Sequence, residues 1–139
     1  MSKIFGKIAK VNKQKVQKVE NELFVLKSNI RVIENKIKDI YIDIDQLNIP
    51  KNGEARELML FQEQRKLLNN QKSRDQRELN VKNLELANKY QEYKKAKMEF
   101  EKIKYLEEQE IIKKIEKLKK QEQKDLDEIS NMLYKGSRT

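Results

Sequence analysis

The sequence predicts an all-α protein, an antiparallel two-helix coiled-coil hairpin with unequal arms in which the C-terminal helix is the longer. Three observations predict it. From Val16 to Leu47 the successive seam positions Val16, Val19, Leu23, Leu26, Ile30, Ile33, Ile37, Ile40, Ile44 and Leu47 alternate three- and four-residue steps and hold only branched aliphatic side chains. A single cluster of breakers, Asn48 to Gly53, follows and contains the only proline. After it neither proline nor glycine recurs before Gly136. With 40% charged and 37% hydrophobic residues over 139 positions, the chain cannot enclose a broad layered core, whereas a narrow seam suits it. The whole of 1–139 is therefore read as a single helical hairpin.

The first helix is expected over about residues 3–47, with Ser2 as its cap and Gly6 weakening its first turns. It has to end before Ile49, because the ring of Pro50 pushes the preceding residue out of helical backbone. The turn spans 48–53, short enough to make the flanking helices antiparallel neighbours. Asn52 is the candidate cap of the second helix, with Glu54 in its favourable first turn. That helix is expected over about 54–135, stopped by Gly136. At about 1.5 Å per residue the two arms would measure roughly 70 Å and 120 Å.

Along the second helix Glu78 with Lys82, Glu85 with Lys89, Glu110 with Lys114 and Glu116 with Lys120 have the better acid-before-base order. Each pair contributes only ~0.2–0.5 kcal/mol. For a chain that reverses near Pro50, antiparallel partners have residue numbers adding to about 101, so everything after Lys97 lacks a partner. Yet an apolar stripe continues at helical spacing through Phe100, Ile103, Leu106, Ile111, Ile115, Leu118, Leu126, Ile129 and Leu133. A solitary helix gains nothing from such a stripe, which points to another molecule. The stretch Asn69 to Glu78 has no apolar residue at all. Either the stems of Gln71, Lys72 and Arg74 cover the opposite seam, or the register shifts, or a partner uses that surface.

Composition also removes most enzyme chemistry. Cysteine and histidine are absent, which excludes disulfides, thiolate and imidazole metal sites, cysteine nucleophiles and histidine acid–base pairs. No glycine-rich phosphate loop, GxSxG elbow or HExxH motif occurs, and the chain is read as a non-enzyme with no catalytic residues, cofactor or metal. Asp39 with Asp43, and Asp125 with Asp127 and Glu128, are read as solvated faces, because neither set has the loop pattern of a calcium site. No stretch reaches the ~18 apolar residues of a membrane span, and Met1 to Lys10 lacks the apolar core of a signal peptide. A cytoplasmic protein with no direct membrane insertion is expected.

The net charge is +9, and its distribution matters more than its sum. Lys3, Lys7, Lys10, Lys13, Lys15 and Lys18 occur in Met1–Val19 with no acid, and a second excess lies at Lys113–Lys124. Asp39, Asp43 and Asp45 make the end of the first helix acidic. An acidic protein surface suits the basic regions. Nucleic acid is not expected, since the basic start has only Phe5 as an aromatic and no arginine for base edges. An anionic membrane surface would meet Ile4, Phe5, Ile8 and Val11, but that segment is short and contains Gly6. Near the turn Tyr41, Ile42, Ile49, Met59, Leu60 and Leu67 exceed what one seam can bury, so the hairpin end is either a docking patch or a locally wider core.

The layout of a basic start, a turn near residue 50 and a longer second helix ends in Lys124-Asp125-Leu126-Asp127-Glu128-Ile129-Ser130-Asn131-Met132-Leu133-Tyr134. Taken together it resembles the FliJ family, the stalk proteins of flagellar and related type III export apparatus, over the whole chain. The resemblance implies a coiled coil similar to the gamma subunit of rotary ATP synthases. Its end carrying both termini would enter the central hole of a hexameric export ATPase. The implied ring contacts are Ile111, Ile115, Leu118, Leu126 and Ile129 as a stem. Lys10, Lys13, Lys113, Lys117 and Lys120 would face acidic loops of the ATPase.

The hairpin end would meet the membrane export gate protein through Tyr41, Ile42, Ile49 and Met59. Export chaperones are a further partner class. The implied place is the cytoplasmic side of the inner membrane, held peripherally through the export apparatus, and the implied process is flagellum biogenesis and so motility and chemotaxis. Two readings compete with this one: a structural coiled-coil spacer whose copies bury their C-terminal stripes together, and a basic nucleic-acid-binding helical protein. Solution mass separates the first, and the salt dependence of binding separates the second.

Overall fold

The computed structural model describes residues 2–51 and 53–137, the side chains of Ser2 and Ser137 excepted. Two helices make up the fold, α1 (Ser2–Asp45) and α2 (Ala55–Ser137), and they pack as the arms of a hairpin of unequal length. No strand occurs among the described residues.

α1 ends where its carbonyls run out of regular partners. The Gln46 amide still donates to Ile42 O at 3.0 Å, and the Leu47 amide then donates to Ile44 O at 3.1 Å in a tighter final turn. Pro50 follows within one turn and the chain leaves the helix before it. α2 begins with the Glu57 and Leu58 amides donating to Glu54 O at 3.1 and 3.2 Å, which puts Glu54 at the cap position and Glu57 in the first turn beside the positive end of the helix dipole. Asn52, expected as the cap, lies outside the described residues, as does the side chain of Ser2.

The chain divides into two compact units. The first is Gln17–Lys94. In it Val19, Leu23, Leu26, Ile30, Ile33, Ile37 and Ile40 are buried, and Ile44 and Leu47 are half-buried, so the aliphatic row is the seam of α1. α2 answers with Leu68, Lys72, Asp75, Leu79, Lys82, Leu86, Lys89 and Tyr93, again in steps of four and three. Half of these are charged. Lys72, Lys82 and Lys89 are half-buried on the α2 seam, so long stems help to cover the aliphatic row; of Gln71, Lys72 and Arg74, named as possible cover, only Lys72 is on the seam and the other two are exposed.

The other unit is Met1–Val16 with Lys95–Thr139. Ala9 and Val16 are buried, Phe5 and Asn12 half-buried, and α2 contributes Ala96, Phe100, Ile103, Glu107 and Glu110 at the same spacing. Gly6 packs beside Glu107, whose Oε1 would stand 3.8 Å from a β-carbon at position 6. From Ile111 to Gly136 every residue is exposed.

The register differs from the expected one. Glu22 meets Lys89, Lys27 sits over Tyr90 and Lys72 over Tyr41 in one unit, while Gly6 lies by Glu107 in the other, so partner numbers add to between 111 and 117. The helix ends on either side of the connection Gln46–Glu54 still have numbers adding to 100, so α2 starts beyond the end of α1 and its first turns have no counterpart on the other arm. Asp43, Gln46 and Leu47 accordingly share a groove with Gln64, Leu67 and Leu68, and Leu58, Met59 and Leu60 before it are exposed. The unpaired tail therefore starts after Glu110 rather than after Lys97, and Phe100 and Ile103 belong to the paired part.

Candidate partner-binding surfaces

The exposed tail of α2 is the first surface. At 100° per residue Ile111, Ile115, Leu118, Leu126, Ile129 and Leu133 fall within about 80° of one another, and all six are exposed. Lys113, Lys117, Lys120 and Lys124 stand on the opposite side of the same helix, so the tail offers an apolar face and a cationic face back to back. Within the tail Gln121 Nε2 donates to Asp125 Oδ1 at 3.1 Å and Gln123 Nε2 to Asp127 Oδ1 at 3.2 Å, which supports the helix from inside. Lys10 and Lys13, in the same unit, are exposed on α1.

The hairpin end is the second surface. Tyr41, Ile42, Ile49 and Met59 come from α1, the connection and α2, and each is exposed, Ile49 to 70%. One face of the Tyr41 ring is taken by the Lys72 ammonium, 5.0 Å from the ring centroid. The ring borders a shallow hollow with Ser73, Gln76 and Arg77. Of the two sequence readings of this end, the exposures support a surface patch, while Leu47 and Phe61 are half-buried.

A third surface escaped the sequence reading. Along one flank of the hairpin unit Asn21, Glu22, Val25, Leu26 and Asn29 face Lys82, Glu85, Asn88, Lys89 and Glu92 across a groove of about 610 Å³. Val25, 56% exposed, is followed seven residues later by exposed Val32, and Val81 is exposed on α2. The signal was present, since aliphatics repeating every seven residues off the seam have no intramolecular use.

Ion pairs organise this groove. The Lys89 ammonium donates to Glu22 Oε2 across the arms and to Glu92 Oε2 at 3.0 Å, while Lys82 pairs with Glu85 at 3.6 Å. Lys82 and Lys89 thus pair toward the C-terminal side instead of with Glu78 and Glu85. The hydrogen bond from Lys89 holds the Glu22 carboxyl below its ordinary range, helped by the positive charges of Lys89 and Lys18 against some desolvation. The same bond to Glu22, then that to Glu92, raises Lys89.

Deeper in the seam Asp75 is 5% exposed; its Oδ1 accepts from Gln71 Nε2 at 3.1 Å and its Oδ2 has no partner, and Glu110 Oε2 is likewise buried without one. Among the described residues no group of three or more acidic side chains is placed to hold a metal ion, and no helix is long and apolar enough to cross a membrane. Asp39 and Asp43 are exposed, as are Asp125, Asp127 and Glu128.

Compared with known proteins, the chain matches over residues 1–139 a family model described as Flagellar FliJ protein. No curated protein and no solved structure matches it.

Proposed function

Because this chain belongs to the FliJ family of flagellar export-apparatus proteins, we propose that it is a non-enzymatic stalk whose tail enters the ring of a hexameric export ATPase and promotes its assembly or coupling. The observation that carries this reading is the tail: from Ile111 to Gly136 α2 continues for about seven turns with every residue exposed, and Ile111, Ile115, Leu118, Leu126, Ile129 and Leu133 share one face. A helix enclosed by a ring meets partner surface on all sides. Ile111, Ile115, Leu118, Leu126 and Ile129 then pack against apolar ring residues, while Lys113, Lys117 and Lys120, joined by Lys10 and Lys13, pair with acidic loops.

The stalk performs no bond chemistry. It acts by binding one arrangement of ATPase subunits better than another, and the ring shifts only as far as that differential affinity allows. The hairpin end is the proposed contact with the export gate, through Tyr41, Ile42, Ile49 and Met59, whose exposure supports docking; it would hold the protein at the cytoplasmic face of the inner membrane. Export chaperones are further proposed partners.

ATP hydrolysis by the cognate export ATPase, titrated with wild-type protein and with the double variant Ile115→Asp, Ile129→Asp, tests the reading. Stimulation by wild type and its loss in the variant are expected. Equal stimulation by both would remove the tail from the contact, and no stimulation by either would remove the stalk function.

A further inference from the structure

The flank groove has no role in the stalk reading, and its chemistry is matched by another surface of the same chain. In the hairpin unit Val25 lines the groove with Glu22, Glu85 and Glu92, Val32 and Val81 are exposed one heptad along α1 and one turn before Glu85 on α2, and Glu78 precedes Glu85 and Glu92 at the same seven-residue interval. The groove's two ammonium groups are already engaged: Lys89 is shared by Glu22 and Glu92, and Lys82 is paired with Glu85. The groove lining thus carries three carboxylates against two ammonium groups, one negative charge in excess.

In the other unit α1 carries the complement. Ile4, Ile8 and Val11 are exposed on one stripe, off the seam formed by Phe5, Ala9 and Asn12. Lys3, Lys7 and Lys15 lie beside that stripe, and no acid occurs in the first nineteen residues of the chain. Ile4 and Val11 are seven residues apart, as are Val25 and Val32, so the two aliphatic rows have equal pitch.

We propose that this flank is a self-association surface, in which the basic aliphatic face Ile4–Lys15 of a second copy docks along the acidic groove lined by Glu22, Val25, Glu85 and Glu92. Opposite charge sets the pairing and steers the encounter, and the matched aliphatic rows supply apolar burial. The arrangement brings two hairpins together side by side and leaves the tail stripe of Ile111 to Leu133 outside the contact. It makes no use of the ATPase and stands or falls on the protein alone.

Sedimentation equilibrium of the full chain tests it. Wild type is expected to associate at low salt, with a dissociation constant rising about tenfold or more on going from about 50 mM to about 500 mM salt. The pair Glu85→Lys, Glu92→Lys and the pair Lys7→Glu, Lys15→Glu should each stay monomeric alone and form a mixed complex when combined. Val25→Glu, on an exposed position that the fold does not need, should also be monomeric with unchanged helicity. A wild type that is monomeric at every concentration and salt overturns the proposal. So does association that survives both charge reversals, or that is abolished by Ile115→Asp, Ile129→Asp, since the tails would then be the contact.

Discussion

Lys89, a seam residue of α2, gives its ammonium to the Glu22 carboxylate of α1 and so marks which turn of one arm stands against which turn of the other. The pair has a defined pH window. Glu22 is held below its ordinary 4.5, so its contribution is complete above that value and is lost as pH falls through the depressed one. Lys89 is raised above its ordinary 10.5, so its contribution is complete below that value and is lost as pH rises through the raised one. Thermal melts of wild type and Glu22→Gln should differ most between those limits and converge at strong acid and strong alkali. A constant difference across pH would show that the pair does not stabilise the hairpin.

Asp75 should be a destabilising residue. It is buried against the aliphatic arm with one carboxylate oxygen unpartnered, and such a group costs about 1–3 kcal/mol. Asp75→Leu is expected to raise the midpoint of urea unfolding by that order. Destabilisation instead would mean that the carboxylate is satisfied in solution.

The two parts of the apolar pattern should respond oppositely to charge. Ile30→Asp with Ile37→Asp puts carboxylates into the buried seam and should cost about 3 kcal/mol or more per site, melting the hairpin. Ile115→Asp with Ile129→Asp changes exposed positions and should leave the melting of the hairpin within about 0.5 kcal/mol of wild type. Circular dichroism on heating distinguishes them, and equal unfolding would make the tail part of the core.

Lys72 is predicted to act through its stem as well as its charge. Lys72→Met keeps the methylenes over the seam and loses only the contact with the Tyr41 ring, about 0.5–1 kcal/mol, whereas Lys72→Ala loses both. Urea unfolding should therefore rank wild type, Met and Ala in that order. Equal effects would leave the stem without a role.

What was legible in the sequence depended on chemistry being uniform. The α1 seam could be read because every position is aliphatic, and eight of its ten members are buried as read. The α2 seam could not, since Lys72, Asp75, Lys82, Lys89, Glu107 and Glu110 occupy it, and a search for apolar periodicity passes over positions that bury stems rather than whole side chains. Pro50 marked where α1 had to stop, but a local steric rule carries no information on how far the chain runs before α2 begins. Nor does it say how far α2 is offset along α1, and that offset sets the register and, with it, the start of the tail. The tail stripe itself was legible because helical spacing is independent of register. The flank groove was not, because it arises only when the two arms are laid side by side.

The exposed tail also has a thermodynamic consequence. A helix segment with every side chain from Ile111 to Lys135 in solvent receives little from packing, and the bonds within it, such as Gln121 to Asp125, are worth a few tenths of a kcal/mol each. Its helix–coil equilibrium therefore runs gradually with temperature, while the seam melts cooperatively. The molecule absorbs heat in two regimes, a broad slope followed by a peak. Any partner that grips the tail must first draw it from that fraying ensemble, so its affinity weakens on warming well before the hairpin itself gives way.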